Sequence, residues 1–123
     1  MPSCGFLDSA PLLPHQLKRL ARRVSLGLAR TGTVSGNGSG DLFLAFSTAN
    51  PEASNPDQIT RSVETIPNDR LDPIFDATVQ ATEEAVLNAL TDNQTMIGRD
   101  DHRVEALSHD RLRELLKKYN RGQ

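Results

Sequence analysis

The chain has 123 residues, a length that suits one domain with a modest hydrophobic core. Its net charge of −2 argues against non-specific nucleic-acid binding, which depends on a strong excess of lysine and arginine. No apolar run approaches the roughly 20 residues of a membrane span, and residues 1–14 lack the charged-then-apolar order of a signal peptide. We therefore expect a cytoplasmic protein that binds neither nucleic acid nor membranes.

The composition also suggests that the hydrophobic core is incomplete. Aromatic residues make up only 4% of the chain, and tryptophan is absent. Because aromatic side chains bury the most apolar area per residue, we expect another chain to complete the core. The single cysteine, Cys4, cannot form an internal disulfide. The three histidines lie far apart and lack metal-ligand spacing, so no metal site is expected.

The first third of the chain predicts an irregular segment followed by a helix. Residues 1–9 show no clear apolar period. Pro14 suits the first turn of a helix, and apolar residues then recur at helical spacing until the helix ends near Gly32. These apolar residues are Leu13, Leu17, Leu20, Ala21, Val24 and Leu28.

A glycine-rich segment, residues 35–41, leads directly into an apolar run that predicts a strand from Leu42 to about Ala49. Ser39 and Asp41 lie two positions apart where this loop becomes the strand. Alternation along an extended backbone points both side chains to the same side. Such a hydroxyl and carboxylate suit a hydrogen-bond relay at a reaction site. They equally suit a turn serine and a loop aspartate that bind backbone N–H groups.

The rest of the chain predicts two more helices and little sheet. Residues 60–66 are read as a second strand, and helical spacing runs from Asp72 to residues 92–94. Residues 103–107 predict a short extended piece, and Ser108 is the expected N-cap of a third helix. This order predicts an α+β fold in which a sheet packs against about three helices.

Three collinear stretches resemble one enzyme family. They comprise residues 10–23, residues 38–50 with the run Gly-Ser-Gly-Asp-Leu-Phe-Leu-Ala-Phe, and residues 81–90 together with 95–100. In this order the chain is similar to the smaller, C-terminal β-subunit of the DmpA/BapA-like aminopeptidases. These self-processing serine peptidases include L-aminopeptidase/D-esterase and β-aminopeptidyl enzymes. The resemblance covers most of residues 10–119.

The resemblance implies that residues 10–120 form one half of an αββα sandwich like that of the N-terminal-nucleophile hydrolases. It implies a serine that becomes the N-terminus of the β-subunit by self-cleavage and acts as the nucleophile, assisted by its own amine. A second serine and an acidic residue two positions further on assist that nucleophile, and these positions fall on Ser39 and Asp41. The implied substrates are small peptides, amides or esters, and no cofactor is implied.

Residues 1–9 depart from the family pattern. Counting back from Ala10 without gaps places the nucleophile at Met1, and Ser3 fits that position only after a two-residue deletion. The implied larger α-subunit, a partner in an oligomer of αβ pairs, is absent from this sequence. Two hypotheses follow: a piece of a serine aminopeptidase, or a catalytically dead remnant or accessory assembly subunit without a nucleophile. We expect the isolated chain to be inactive and to expose the sheet face meant for the missing subunit.

Overall fold

The computed structural model describes residues 5–121, which form three α-helices and four short strands. In chain order these are β1 (Gly5–Asp8), α1 (Pro14–Arg30), β2 (Leu44–Ser47), α2 (Asp72–Thr91), β3 (Met96–Ile97), β4 (Arg103–Val104) and α3 (His109–Lys118). Among the described residues, no helix is both long and apolar enough to cross a membrane. The described residues divide into two compact units, 5–83 and 84–121.

The three predicted helices are confirmed. α1 begins at Pro14 as expected, and Gly32, with φ of 101°, follows its end in the left-handed conformation that terminates many helices. α2 begins at Asp72 and ends at Thr91, one residue before the predicted limit. Ser108 is the N-cap of α3, since its Oγ accepts a hydrogen bond from the backbone N–H of Arg111 at 3.4 Å.

The strand predictions need correction. Gly5–Asp8, within the segment predicted to be irregular, form β1, which pairs in parallel with β2. β2 itself is shorter than the predicted strand of residues 42–49. Residues 60–66 form no strand, because the Asn50 side chain bonds the Glu64 backbone where a neighbouring strand would pair. Asn50 Nδ2 donates to the Glu64 carbonyl at 3.1 Å, and the Glu64 N–H donates to Asn50 Oδ1 at 2.9 Å.

One face of β2 packs toward the core and the other is uncovered. Ala45 packs against the core cluster of Leu12, Leu20, Leu71 and Phe75. Leu44 and Phe46, which alternate with it along the strand, remain 65% and 40% exposed. Parallel sheets are ordinarily covered on both faces. The unit of residues 5–83 therefore presents an uncovered apolar sheet face, as the sequence led us to expect.

A buried glutamine joins the start of α1 to the segment that leads into α2. Gln16 Nε2 donates to the Ile66 carbonyl at 2.7 Å and to Asn68 Oδ1 at 3.1 Å. Gln16 Oε1 accepts from the Leu13 backbone N–H at 2.9 Å and from Thr65 Oγ1 at 3.1 Å. Since the side chain is only 3% exposed, these four bonds satisfy an amide that water does not reach.

Gln16→Glu keeps the shape of this side chain but removes its two N–H donors. We expect it to lower the free energy of unfolding by about 2–3 kcal/mol, because the Ile66 carbonyl would face an oxygen without a hydrogen bond. Urea-induced unfolding followed by circular dichroism at neutral pH measures the loss. Gln80→Glu, at an exposed position of α2, is the control, and equal stability of the two variants would contradict the role given to Gln16.

The helices α1 and α2 cross in close contact at Gly27. A Cβ atom on Gly27 would lie 2.5 Å from Thr82 Cβ and 2.6 Å from the Val79 carbonyl oxygen. Thr78 and Thr82 are buried, and their hydroxyls donate to the Ile74 and Thr78 carbonyls of the preceding turn at 2.7 Å. The missing side chain at residue 27 is therefore what allows the two helices to approach.

The unit of residues 84–121 comprises the end of α2, the β3–β4 hairpin and α3. The hairpin turns through Asp100 and Asp101, both with φ of 57°, as a type I′ turn requires. A ring nitrogen of His109, Nε2, lies 2.7 Å from the Thr91 carbonyl and links the start of α3 to the end of α2. Within residues 84–121 no residue is buried, so this unit has no hydrophobic core of its own.

Candidate active site

Ser39 and Asp41 lie in contact on the loop that joins α1 to β2. Ser39 Oγ donates a hydrogen bond to Asp41 Oδ2 at 2.9 Å, and the Asp41 backbone N–H donates to Ser39 Oγ at 3.4 Å. The Ser39 N–H donates to the Gly36 carbonyl at 2.8 Å, which closes a turn over residues 36–39. The prediction that both side chains lie on the same side is confirmed by their direct contact.

Gly36 and Gly38, the glycines next to Ser39 on its N-terminal side, do not adopt positive φ angles. Within the described loop, positive φ angles occur at Gly32 and at Ser35, with φ of 49°, rather than at Gly36 or Gly38. Thr33 Oγ1 accepts the Ser35 N–H at 3.2 Å. A Cβ atom on Gly36 or Gly38 would meet no atom within 4 Å. These glycines therefore leave the surface next to Ser39 open.

β1 and β2 hold a parallel register in which each residue pairs with the residue 39 positions further on. The pairs run from Gly5 with Leu44 to Asp8 with Ser47. Ser47 fixes the far end of this register, since its Oγ donates to the Ala10 carbonyl at 2.6 Å. Only two residues, 42 and 43, separate Asp41 from the start of β2. The start of β1 and the Ser39–Asp41 pair therefore lie at the same end of the sheet.

Sequence reasoning missed two polar residues that brace this strand. Besides its bond to Ala10, Ser47 accepts the Ala49 N–H at 3.2 Å, and Asn50 holds the Glu64 backbone. Both belong to the run Phe-Ser-Thr-Ala-Asn at the end of β2. Short polar side chains at a strand end commonly bind nearby backbone groups, which is the signal that could have found the local bond between Ser47 and Ala49. The predicted nucleophile positions, Met1 and Ser3, lie outside the described residues.

The Ser39–Asp41 pair leaves room for one further hydrogen-bond donor at the Ser39 oxygen. The Ser39 hydroxyl hydrogen points to Asp41, so a lone pair of Ser39 Oγ is free for an incoming donor. Both residues are exposed, and the approach to them is open. A hydroxyl placed against Ser39 could pass its proton to Ser39 while Ser39 donates to Asp41. Among residues 5–121 no three His, Cys, Asp or Glu side chains are grouped to hold a metal ion.

Known proteins share this sequence over most of its length. Residues 8–104 match peptidase family S58. The β-peptidyl aminopeptidase BapA of Sphingosinicella microcystinivorans is 51% identical over 112 residues, which cover 91% of this chain and 28% of BapA. The chain thus spans less than a third of the length of this relative.

Solved structures share the fold as well. The PH0078 protein of Pyrococcus horikoshii is 40% identical with a TM-score of 0.85. The L-aminopeptidase D-Ala-esterase/amidase of Ochrobactrum anthropi, a prototype of the serine aminopeptidases with a variant of the Ntn hydrolase fold, is 45% identical with a TM-score of 0.83. Each match covers 95% of this chain and 33% of the solved chain. The predicted α+β fold of the N-terminal-nucleophile hydrolase type is confirmed, and the chain belongs to peptidase family S58.

Proposed function

We propose that this chain is the small subunit of a serine aminopeptidase in which Ser39 and Asp41 assist the nucleophile. The enzyme releases N-terminal residues from small peptides, amides or esters. The observation that carries the proposal is the 2.9 Å hydrogen bond from Ser39 to Asp41 at the end of the β1–β2 pair. This bond gives the serine a carboxylate acceptor and leaves its oxygen available to a second hydroxyl.

The ungapped count from Ala10 supports residue 1 as the nucleophile position, whereas Ser3 fits that position only after a two-residue deletion. The described register, Gly5 with Leu44 to Asp8 with Ser47, places the start of β1 at the end of the sheet that carries Ser39 and Asp41.

The proposed reaction is acyl transfer in two steps. The nucleophile oxygen bonds to the substrate carbonyl carbon while its proton passes to Ser39 and the proton of Ser39 passes to Asp41. The tetrahedral intermediate then expels the leaving amine or alcohol, which takes up the proton, and an acyl-enzyme ester remains. Water attacks this ester along the same proton path and releases the acid. These two steps need only side chains and water.

A larger α-subunit completes the proposed enzyme, and αβ pairs assemble into an oligomer. The uncovered face of β2 supports this partner, since Leu44 and Phe46 are exposed there and Leu42, just before the strand, is 86% exposed. Residue 1 is methionine in this sequence, and a thioether has no proton to transfer and makes no acyl-enzyme. We therefore propose that the chain by itself is inactive.

Reconstitution tests the proposal. The chain is co-expressed with the part of S. microcystinivorans BapA outside the matched segment, once with Met1 and once with Met1→Ser exposed by cleavage of a removable leader. We expect hydrolysis of an aminoacyl p-nitroanilide by the Met1→Ser complex and none by the Met1 complex or by Met1→Ala. Equal activity of all three would contradict residue 1 as the nucleophile.

The second candidate function is assembly without catalysis, which the methionine at residue 1 favours. It predicts that the Met1→Ser complex forms and still hydrolyses nothing. Size-exclusion chromatography of the co-expressed chains, run beside the hydrolysis assay, separates this outcome from a failure to assemble.

A further inference from the structure

The unit of residues 84–121 carries an apolar groove that the proposed catalytic pair does not use. The end of α2, the segment after β4 and one side of α3 border an open groove of about 730 Å³, a volume within the range of ligand sites. Its apolar lining includes Leu90, Val104, Leu107, Leu112 and Leu115. Four of these side chains remain exposed, by 42% at Leu107 to 60% at Val104.

Nothing within the described part of this unit covers the groove. α3 has ten residues, no buried side chain and an apolar side that includes Leu112 and Leu115. Isolated helices of this length are marginal in water, and most helical stability in proteins comes from packing of the apolar face. A contact along this groove would therefore stabilise α3.

The uncompensated charge at the groove is positive. Arg111 lines the groove, and its side chain forms no hydrogen bond or ion pair with the part of the chain that the structure describes. Glu105, the acidic residue of the lining, is already neutralised: its carboxylate lies 2.7 Å from Arg103 Nε and accepts from Thr95 Oγ1 at 3.1 Å. A carboxylate on the occupant would complement Arg111.

We propose that the groove binds an apolar segment carrying a carboxylate, supplied by the larger part of the enzyme outside this chain. The inference rests on the proposed function in one respect: the partner of the groove is the large subunit proposed there. A second copy of this chain is disfavoured, because two copies of the groove in contact would bring the two Arg111 side chains, which carry like charges, together. A concave groove also suits an inserted segment better than the flat surface of a bilayer.

Two variants of α3 and one matched control test this groove. Leu115→Asp removes apolar contact and Arg111→Glu reverses the rim charge, whereas Lys117→Glu makes the same charge change on the same helix away from the groove lining. The full chain is titrated by calorimetry with the part of S. microcystinivorans BapA outside the matched segment. We expect the first two variants to weaken binding by about tenfold or more and the control to stay within about twofold of the unmodified chain.

Three outcomes would overturn the proposed binding role of the groove. The first is unchanged binding by Leu115→Asp and Arg111→Glu. The second is a dimer of the chain alone in sedimentation that Leu115→Asp abolishes, and the third is binding to phosphatidylglycerol vesicles that the same change abolishes. Hydrolysis is measured separately. A complex whose affinity falls in both groove variants but which hydrolyses nothing contradicts the catalytic proposal alone. An active complex whose affinity neither variant changes contradicts the groove proposal alone.

Discussion

Replacing Ser39 by alanine should lower kcat of the reconstituted Met1→Ser peptidase by about 10²–10⁴-fold. The change removes the hydroxyl that donates to Asp41 at 2.9 Å, so the nucleophile loses its proton acceptor. KM should change much less, because Ser39 acts on the nucleophile and not on substrate affinity. Initial rates over a range of aminoacyl p-nitroanilide concentrations separate the two constants.

Ser35→Ala is the control for Ser39→Ala. Ser35 lies in the same exposed loop. Its backbone N–H donates to Thr33 Oγ1, and alanine at this position keeps that donor. Asp41→Asn should also lower kcat, and combining it with Ser39→Ala should add little further loss, because groups that act as one unit are not additive. Two independent, additive losses would mean that Ser39 and Asp41 do not share a relay.

Gly27→Ala should lower the free energy of unfolding by about 1–3 kcal/mol, although alanine favours an isolated helix over glycine by about 1 kcal/mol. The new methyl group would lie 2.5 Å from Thr82 Cβ and 2.6 Å from the Val79 carbonyl oxygen. The second of these atoms is backbone and cannot rotate away, so α1 and α2 must separate. Guanidinium-induced unfolding followed by circular dichroism measures the effect.

Leu26→Ala is the control for Gly27→Ala. It adjoins Gly27 on α1, but its side chain is 57% exposed, so its removal should cost less than about 1 kcal/mol. A Gly27→Ala variant more stable than the unmodified chain would show that the gain in helix propensity outweighs the steric clash where α1 and α2 cross. That result would contradict the tight contact of α1 with α2.

Local patterns were enough to predict the helices but not the sheet. Leu20 and Val24, at helical spacing, are buried on α1 as the period requires. β1 has only four residues and no alternation, and its partner β2 lies 39 positions away, so no local signal marks it. The prediction for residues 60–66 was wrong because a single side chain, that of Asn50, takes the place of a neighbouring strand at Glu64.

The candidate site was likewise predictable only as far as local patterns reach. Alternation over two residues was sufficient to bring Ser39 and Asp41 to one side, and the structure joins them. Their catalytic role came from the resemblance and stays a prediction. Ser47 bonds a carbonyl 37 positions away in sequence, and such a distant pairing cannot be read from spacing along one strand.

The parallel register of β1 and β2 determines where this chain tolerates changes in length. Residues 31–35 precede the turn that begins at Gly36, and Val34 among them is 92% exposed, so an insertion there lengthens a free loop. An insertion between Asp41 and Leu44 would instead lengthen the short connection that holds Ser39 and Asp41 next to β2, whose register with β1 is fixed. Engineered versions of this chain can therefore vary in length before Gly36, whereas the residue count from Ser39 to Ser47 has to stay constant.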